Sequence, residues 1–132
     1  MGVVRYLLDT HTFLWAMQKD MMLSNTAKTI MDDKNTQFFV SAVSAYEIMY
    51  KHKLGKLDEY KYVAENYFDV LHEFGADKLP ISEQHAHLAG KFEWAHRDPF
   101  DRLLAAQAST ENLTLITNDP AFETLPWVKT LW

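Results

Sequence analysis

The sequence predicts an α/β fold, a parallel sheet with helices on both faces. Three observations carry this. Short apolar runs at 3–8, 37–40 and 113–116 have the length of strands, and their near-continuous apolarity suits strands buried on both faces. The longer segments between them repeat apolar residues at helical spacing. Residues that start helices, such as Ser24, Ser41 and Asp98, stand between the two kinds of segment. Strands alternating with helices imply parallel pairing, here with about four to five strands.

Each element has its own signal. Val3 to Leu8 is interrupted only by Arg5 and reads as the first strand. Thr12 to Met17 reads as a helix, and Ser24-Asn25 caps a second one through about Asp33. Gln37 to Val40 is the second strand. Ser41 or Ser44 opens the next helix, which Gly55 closes. Val63, Tyr67, Val70, Leu71 and Phe74 predict one amphipathic helix over 59–74, ended by Gly75. Leu79-Pro80-Ile81 suits a brief strand end. A helix is expected over 83–95, with Ala86, Ala89, Gly90 and Trp94 packing. The clearest helix spans Pro99 to Thr110, with Asp98 as cap and Pro99 in its first position. Leu113 to Ile116 and Trp127 to Leu131 complete the strands.

At 132 residues, with no internal repeat or linker, the chain is expected to form one domain over 1–132. Its 48% apolar content supports a sizeable core. There is no cysteine, which excludes disulfides and thiolate metal sites. No apolar run reaches the ~20 residues of a membrane span. The start reaches Asp9 too soon for a signal peptide, and Tyr6 disfavours myristoylation at Gly2. A cytoplasmic protein is expected. The net charge of −5 argues against a nucleic-acid binder at first sight. Setting aside Asp9, Glu47, Asp98 and Asp119, however, leaves −1 on the remainder.

Those acids lie in four short segments: Leu7-Leu8-Asp9-Thr10, Ser44-Ala45-Tyr46-Glu47, Asp98-Pro99-Phe100-Asp101 and Thr117-Asn118-Asp119. Asp9 ends a strand, where open α/β sheets place ligand groups, although an Asx-turn or helix cap explains it equally. Glu47 sits inside a helix and suits either a capping box with Ser44 or an i,i+4 pair with Lys51. Asp98 and Asp101 are what a helix start asks for, yet a capping carboxylate keeps lone pairs for a ligand. Asp119 precedes Pro120 and reads as strand end and cap. If the segments converge, five carboxylates share one cleft and repel unless a cation joins them; a hard divalent ion is the usual solution.

The other polar residues are less specific. The six histidines form no zinc pattern; His85 and His87 are expected at the surface. His11 and His96 lie near acids. Trp15 and Trp94 are expected on helices, in core or interface. Lys51, Lys53, Lys56 and Arg97 are candidates to meet a phosphate backbone, against a plain solvated-surface role. Arg97 and Arg102 also flank the Asp98–Asp101 pair.

Taken together, the four segments, in order from Tyr6 to Ala121, resemble PIN-domain nucleases of the VapC toxin class. The first block, 7–16, carries Asp9; the second, 41–48, carries Glu47. The third, 96–108, carries Asp98 and Asp101, and the last, 115–120, carries Thr117 and Asp119. The resemblance implies a Rossmann-like three-layer PIN domain and Mg²⁺-dependent RNA cleavage, with Mn²⁺ able to substitute. It further implies homodimers and a small cognate antitoxin. The expected catalytic acids are Asp9, Glu47, Asp98, Asp101 and Asp119, with Asp9, Glu47, Asp98 and Asp119 as metal ligands. Thr117, Arg97, Lys51 and Lys53 are expected to face substrate. Two other readings stay open: an aspartate-nucleophile phosphatase, disfavoured by His11 two residues after Asp9, and a non-catalytic module whose acids only cap helices.

Overall fold

Alternation along β1 (Arg5–Leu8) sets up two cores. The computed structural model describes residues 4–132, so the expectations for Val3 and Gly2 lie outside the described residues. Leu8 packs with Val40, Ile116, Phe13, Leu14, Ile48, Val63 and Leu71. Leu7 points the other way, to Leu79, Leu104, Ala105, Leu115 and Phe122. Both leucines are fully buried, as expected of a central parallel strand.

The remaining strands are β2 (Gln37–Ser41), β3 (Asp77–Leu79), β4 (Thr114–Ile116) and β5 (Thr130–Leu131). All pair in parallel, in the order β3-β2-β1-β4-β5. Leu7 stands opposite Phe39 on one side and Leu115 on the other. The chain builds outward from β1 to β3, then returns to place β4 on the free side of β1. The reversal falls between β1 and β4, and such a switch point opens a crevice outside the strands' carboxyl ends.

Seven α-helices flank the sheet among the described residues. They are α1 (Thr10–Gln18), α2 (Asn25–Asp32), α3 (Ala42–Lys53), α4 (Lys61–Glu65), α5 (Tyr67–Phe74), α6 (Glu83–Lys91) and α7 (Pro99–Thr110). Helices α1 to α5 feed the Leu8 core, and α7 feeds the Leu7 core. Helix α6 packs on α7. This is the three-layer α/β arrangement expected.

Several boundaries differ from the sequence reading, each for a local reason. Helix α1 starts two residues early because Asp9 accepts from the Thr12 N–H at 2.8 Å. Ser41, not Ser44, caps α3, accepting from the Val43 N–H at 2.9 Å. That helix ends in a Schellman motif: Gly55, at φ 73°, donates to the His52 carbonyl, and Lys56 donates to that of Lys51.

The single helix expected over 59–74 is broken at Asn66, at φ −122° and ψ 33°. Its side-chain amide takes the Tyr62 carbonyl, the kind of local bond by which Asn competes with helix. The helix expected over 83–95 ends at Lys91. Arg102 holds the carbonyls of Ala89 and Phe92 there, with its guanidinium 4.3 Å from the Phe92 ring centroid. Trp94 therefore lies in the segment joining α6 to α7, not on a helix; its indole N–H donates to Thr124 Oγ1 at 2.8 Å. Arg102 is thus a structural clasp rather than a partner of the acids. Only Thr130–Leu131 of the last expected strand pairs, because Trp127 and Val128 lie in the preceding turn.

His85 also departs from expectation. It is 2% exposed, not at the surface. Its Nδ1 accepts from the Ser82 N–H, and its own N–H donates to Ser82 Oγ, forming a reciprocal cap on α6. With Nδ1 an acceptor, the ring proton sits on Nε2 and points to Glu111 at 2.8 Å. His87 is exposed.

Candidate functional site

The crevice at the β1–β4 switch point is a cavity of about 480 Å³. All five expected acids line it: Asp9, Glu47, Asp98, Asp101 and Asp119. Thr10, His11, Trp15, Lys51 and Asn118 complete most of its wall.

Three of the acids cap helices and still reach the cavity. Asp9 uses Oδ1 for the Thr12 N–H and receives the Thr117 hydroxyl on Oδ2. Asp98 takes the N–H groups of Phe100, at 2.8 Å, and Asp101, at 3.3 Å, on Oδ1. Asp119 takes the Ala121 N–H on Oδ1 at 3.0 Å, opening a 3-10 turn (Pro120–Thr124). For Asp98 and Asp119 the second oxygen makes no hydrogen bond to the described residues. In Asp98 and Asp119, capping therefore occupies one oxygen and leaves the other uncommitted.

Glu47 caps nothing. It projects from the middle of α3 and is 4% exposed. The Thr10 hydroxyl donates to its Oε1 at 2.7 Å, and the Lys51 ammonium donates to its Oε2. Because the Thr10 hydroxyl is committed to Glu47, Ser44 donates in the 2.8 Å contact between their hydroxyls. The i,i+4 pair with Lys51 is thus real, and the capping box with Ser44 is not. Asp101 meets His96 Nε2 at 2.6 Å. Trp94 meets His96 edge-to-face at 4.8 Å between ring centroids, which braces the segment leading into Asp98.

The electrostatics follow from crowding. Burial pushes the Asp9 carboxyl up, opposed by the Thr117 and Thr12 hydrogen bonds and by His11. Burial also pushes Asp101 up to about 6, with Asp98 and Glu47 adding to the shift and His96 opposing it. Burial works against the Lys51 charge, yet Glu47, Asp98 and Asp101 outweigh it and its pKa is raised.

The remaining expected residues divide. Lys51 lines the cleft, and Thr117 supports Asp9 from the end of β4. Lys53 is not brought to the cleft; two residues after Lys51, it lies about 200° further round α3 and is exposed. Arg97 is exposed too, in a shallow groove with Lys91, Phe92 and Arg102. Thr10 and Trp15 were missed. Thr10 carries a faint signal, directly following Asp9; Trp15, one helical turn past His11 on α1, reads as a core or interface residue.

The donor set suits a divalent ion. Carboxylate oxygens dominate, which favours Mg²⁺ or Mn²⁺ over softer metals. Candidate ligand atoms of His96, Asp98 and Asp101 lie within 4.8 Å of one another, and one oxygen each of Asp98 and Asp119 stays uncommitted among the described residues.

A parallel sheet with an acidic crevice at its switch point defines a class of α/β protein, and the sequence assigns the family. The PIN domain family matches residues 6–128, and the chain belongs to it. No curated protein matches the sequence. The fold resembles that of VapBC2 from Rickettsia felis bound to a promoter DNA fragment, at 21% identity and TM-score 0.69, covering 97% of this chain and 98% of that one. DNA-bound VapBC from Salmonella typhimurium is similar at 19% identity and TM-score 0.69, covering 98% of both chains. FitAcB from Neisseria gonorrhoeae matches at 20% identity and TM-score 0.65, covering 96% of both. These likenesses establish a shared fold. No helix among the described residues is long and apolar enough to cross a membrane.

Proposed function

We propose that residues 1–132 form one nuclease domain that hydrolyses RNA phosphodiester bonds with Mg²⁺, or Mn²⁺ in its place. The observation that carries this reading is the meeting of five carboxylates from four distant segments in one cleft with a single lysine. Asp9, Glu47, Asp98 and Asp119 would hold the ion, and Asp101, paired with His96, would orient water beside it. The ion would supply charge neutralisation at the phosphate and an acidified water. Thr10 and Thr117 fix the carboxylates of Glu47 and Asp9 through hydrogen bonds. Lys51 is the cleft cation available to a phosphate oxygen.

The protein is further proposed to act in the cytoplasm as a homodimer, as the toxin of a toxin–antitoxin pair restrained by a small antitoxin. Support comes from the fold shared with VapBC and FitAcB proteins and with a toxin–antitoxin complex from Klebsiella pneumoniae.

The test is direct. Asp9→Asn should abolish Mg²⁺-dependent cleavage of RNA while retaining the wild-type circular dichroism spectrum. Glu47→Gln should lose the heat of Mn²⁺ binding. Undiminished cleavage by the first variant would overturn the reading. Release of inorganic phosphate from small monoesters, with internal RNA bonds left intact, would favour a phosphatase instead.

A further inference from the structure

Lys51 occupies an unusual position for a substrate-binding lysine. Its ammonium is bonded to Oε2 of Glu47, while Thr10 holds Oε1. Both oxygens of Glu47 are therefore engaged within the protein. Among the residues lining the cleft, Lys51 is the only lysine or arginine against five carboxylates. Its side chain is 28% exposed and its ammonium lies 5.8 Å from the Phe100 ring centroid, so the stem is packed rather than free. Phe100 stands between Asp98 and Asp101, and both acids act on the ammonium together with Glu47.

A divalent ion and an ammonium compete for the same oxygen. Each is attracted by the same carboxylates, and at one carboxylate they repel each other strongly in a half-buried cleft. The Thr10 bond keeps Glu47 in place, so an exchange moves the lysine and not the carboxylate. Four methylenes give Lys51 the reach to withdraw towards the rim.

We propose that Lys51 is a built-in counter-cation, which holds Oε2 of Glu47 in the ion-free protein and gives it up when a divalent ion enters. The inference rests on the divalent-ion reading of the cleft above. It makes metal loading an exchange: the site is preformed, with Lys51 offsetting the charge of Glu47 until a metal enters, and metal affinity is lower than the five acids alone would give.

The test uses calorimetric titration of the full chain with Mn²⁺ at about pH 8, above the carboxylate range. Lys51→Met keeps the stem's volume and removes its charge. It should bind Mn²⁺ at least about tenfold more tightly than wild type. Its metal-free melting temperature should fall and recover at saturating Mn²⁺. A lysine with a merely structural role would instead weaken Mn²⁺ binding when removed. In the wild-type protein, the ammonium resonance of Lys51, protected by Glu47, should lose that protection on saturation with Mg²⁺; this holds the inference to account even if the variant folds poorly. Wild-type Mn²⁺ binding that depends on Glu47, with Lys51→Met no tighter, overturns the role of Lys51 and leaves the metal reading standing. Absence of Mn²⁺ binding in both proteins overturns the two together.

Discussion

The Thr117 hydroxyl donates to Oδ2 of Asp9, tying the carboxyl ends of β4 and β1 together across 108 residues of chain. Both residues are buried, and the bond opposes the burial that raises the Asp9 pKa. Thr117→Val keeps the shape and removes the donor. It should cost about 1–2 kcal/mol of stability. It should also raise the Asp9 pKa further, because the bond favours the charged form. Mn²⁺ binding followed across pH by calorimetry should then begin at a higher pH than in wild type; an unchanged pH profile would show that Thr117 does not tune the site.

Asp101 gives a pH dependence of definite sign. Its pKa rises from 3.8 to about 6, chiefly through burial, so the folded chain holds this proton more tightly than the unfolded one. The stability contributed is complete below the ordinary carboxylate range and is lost as pH rises through about 6. With 18% of the side chain exposed, the loss is at most about 3 kcal/mol. In metal-free protein, Asp101→Asn should therefore gain stability over wild type between about pH 4 and pH 7. Thermal melts of both proteins in chelator across that range measure the difference, and a constant gap would contradict the assignment.

Thr10 supports Glu47 without lining the role of a ligand itself. Thr10→Val removes the 2.7 Å bond to Oε1 and leaves the carboxylate freer to turn. Mn²⁺ affinity should fall by about tenfold, the usual scale for losing a group that orients a metal ligand. Retained affinity would mean that the packing of α3 alone fixes Glu47.

Arg102 determines where α6 stops. Arg102→Lys cannot reproduce a fork across two carbonyls or the stack on Phe92. It should cost about 1–3 kcal/mol in urea unfolding. Amide exchange should quicken over 92–98, the segment that delivers Asp98. Wild-type exchange there would place the constraint in Trp94 and its bond to Thr124 instead.

Much of the site was legible because its acids double as helix caps. Asp98-Pro99 and Asp119-Pro120 announce helix starts by their own chemistry, and Asp9 closes an apolar run. Glu47 was harder to read, since a helical glutamate four residues before a lysine is ordinary on any solvated face. The errors share a form. Asn66 breaks a helix whose apolar spacing runs on unbroken through it, and Arg102 halts α6 from beyond its end, bonding Phe92 across 10 residues. His85 looked like a surface residue until Ser82, Gln107 and Glu111 closed around it.

The sequence by itself determined the alternation of strands and helices, the capped positions of the acids and the family to which the chain belongs. These depend on periodicity and on neighbours a few residues apart. Only the tertiary structure decided which side chains meet: that Lys51 enters the cleft while Lys53 and Arg97 do not, that Trp15 walls it, and that Thr10 and Thr117 hold Glu47 and Asp9. The physical reason is that such pairings join segments tens to a hundred residues apart. Their geometry is set by how the helices pack on a sheet whose strand order reverses at β1, and no local pattern encodes that.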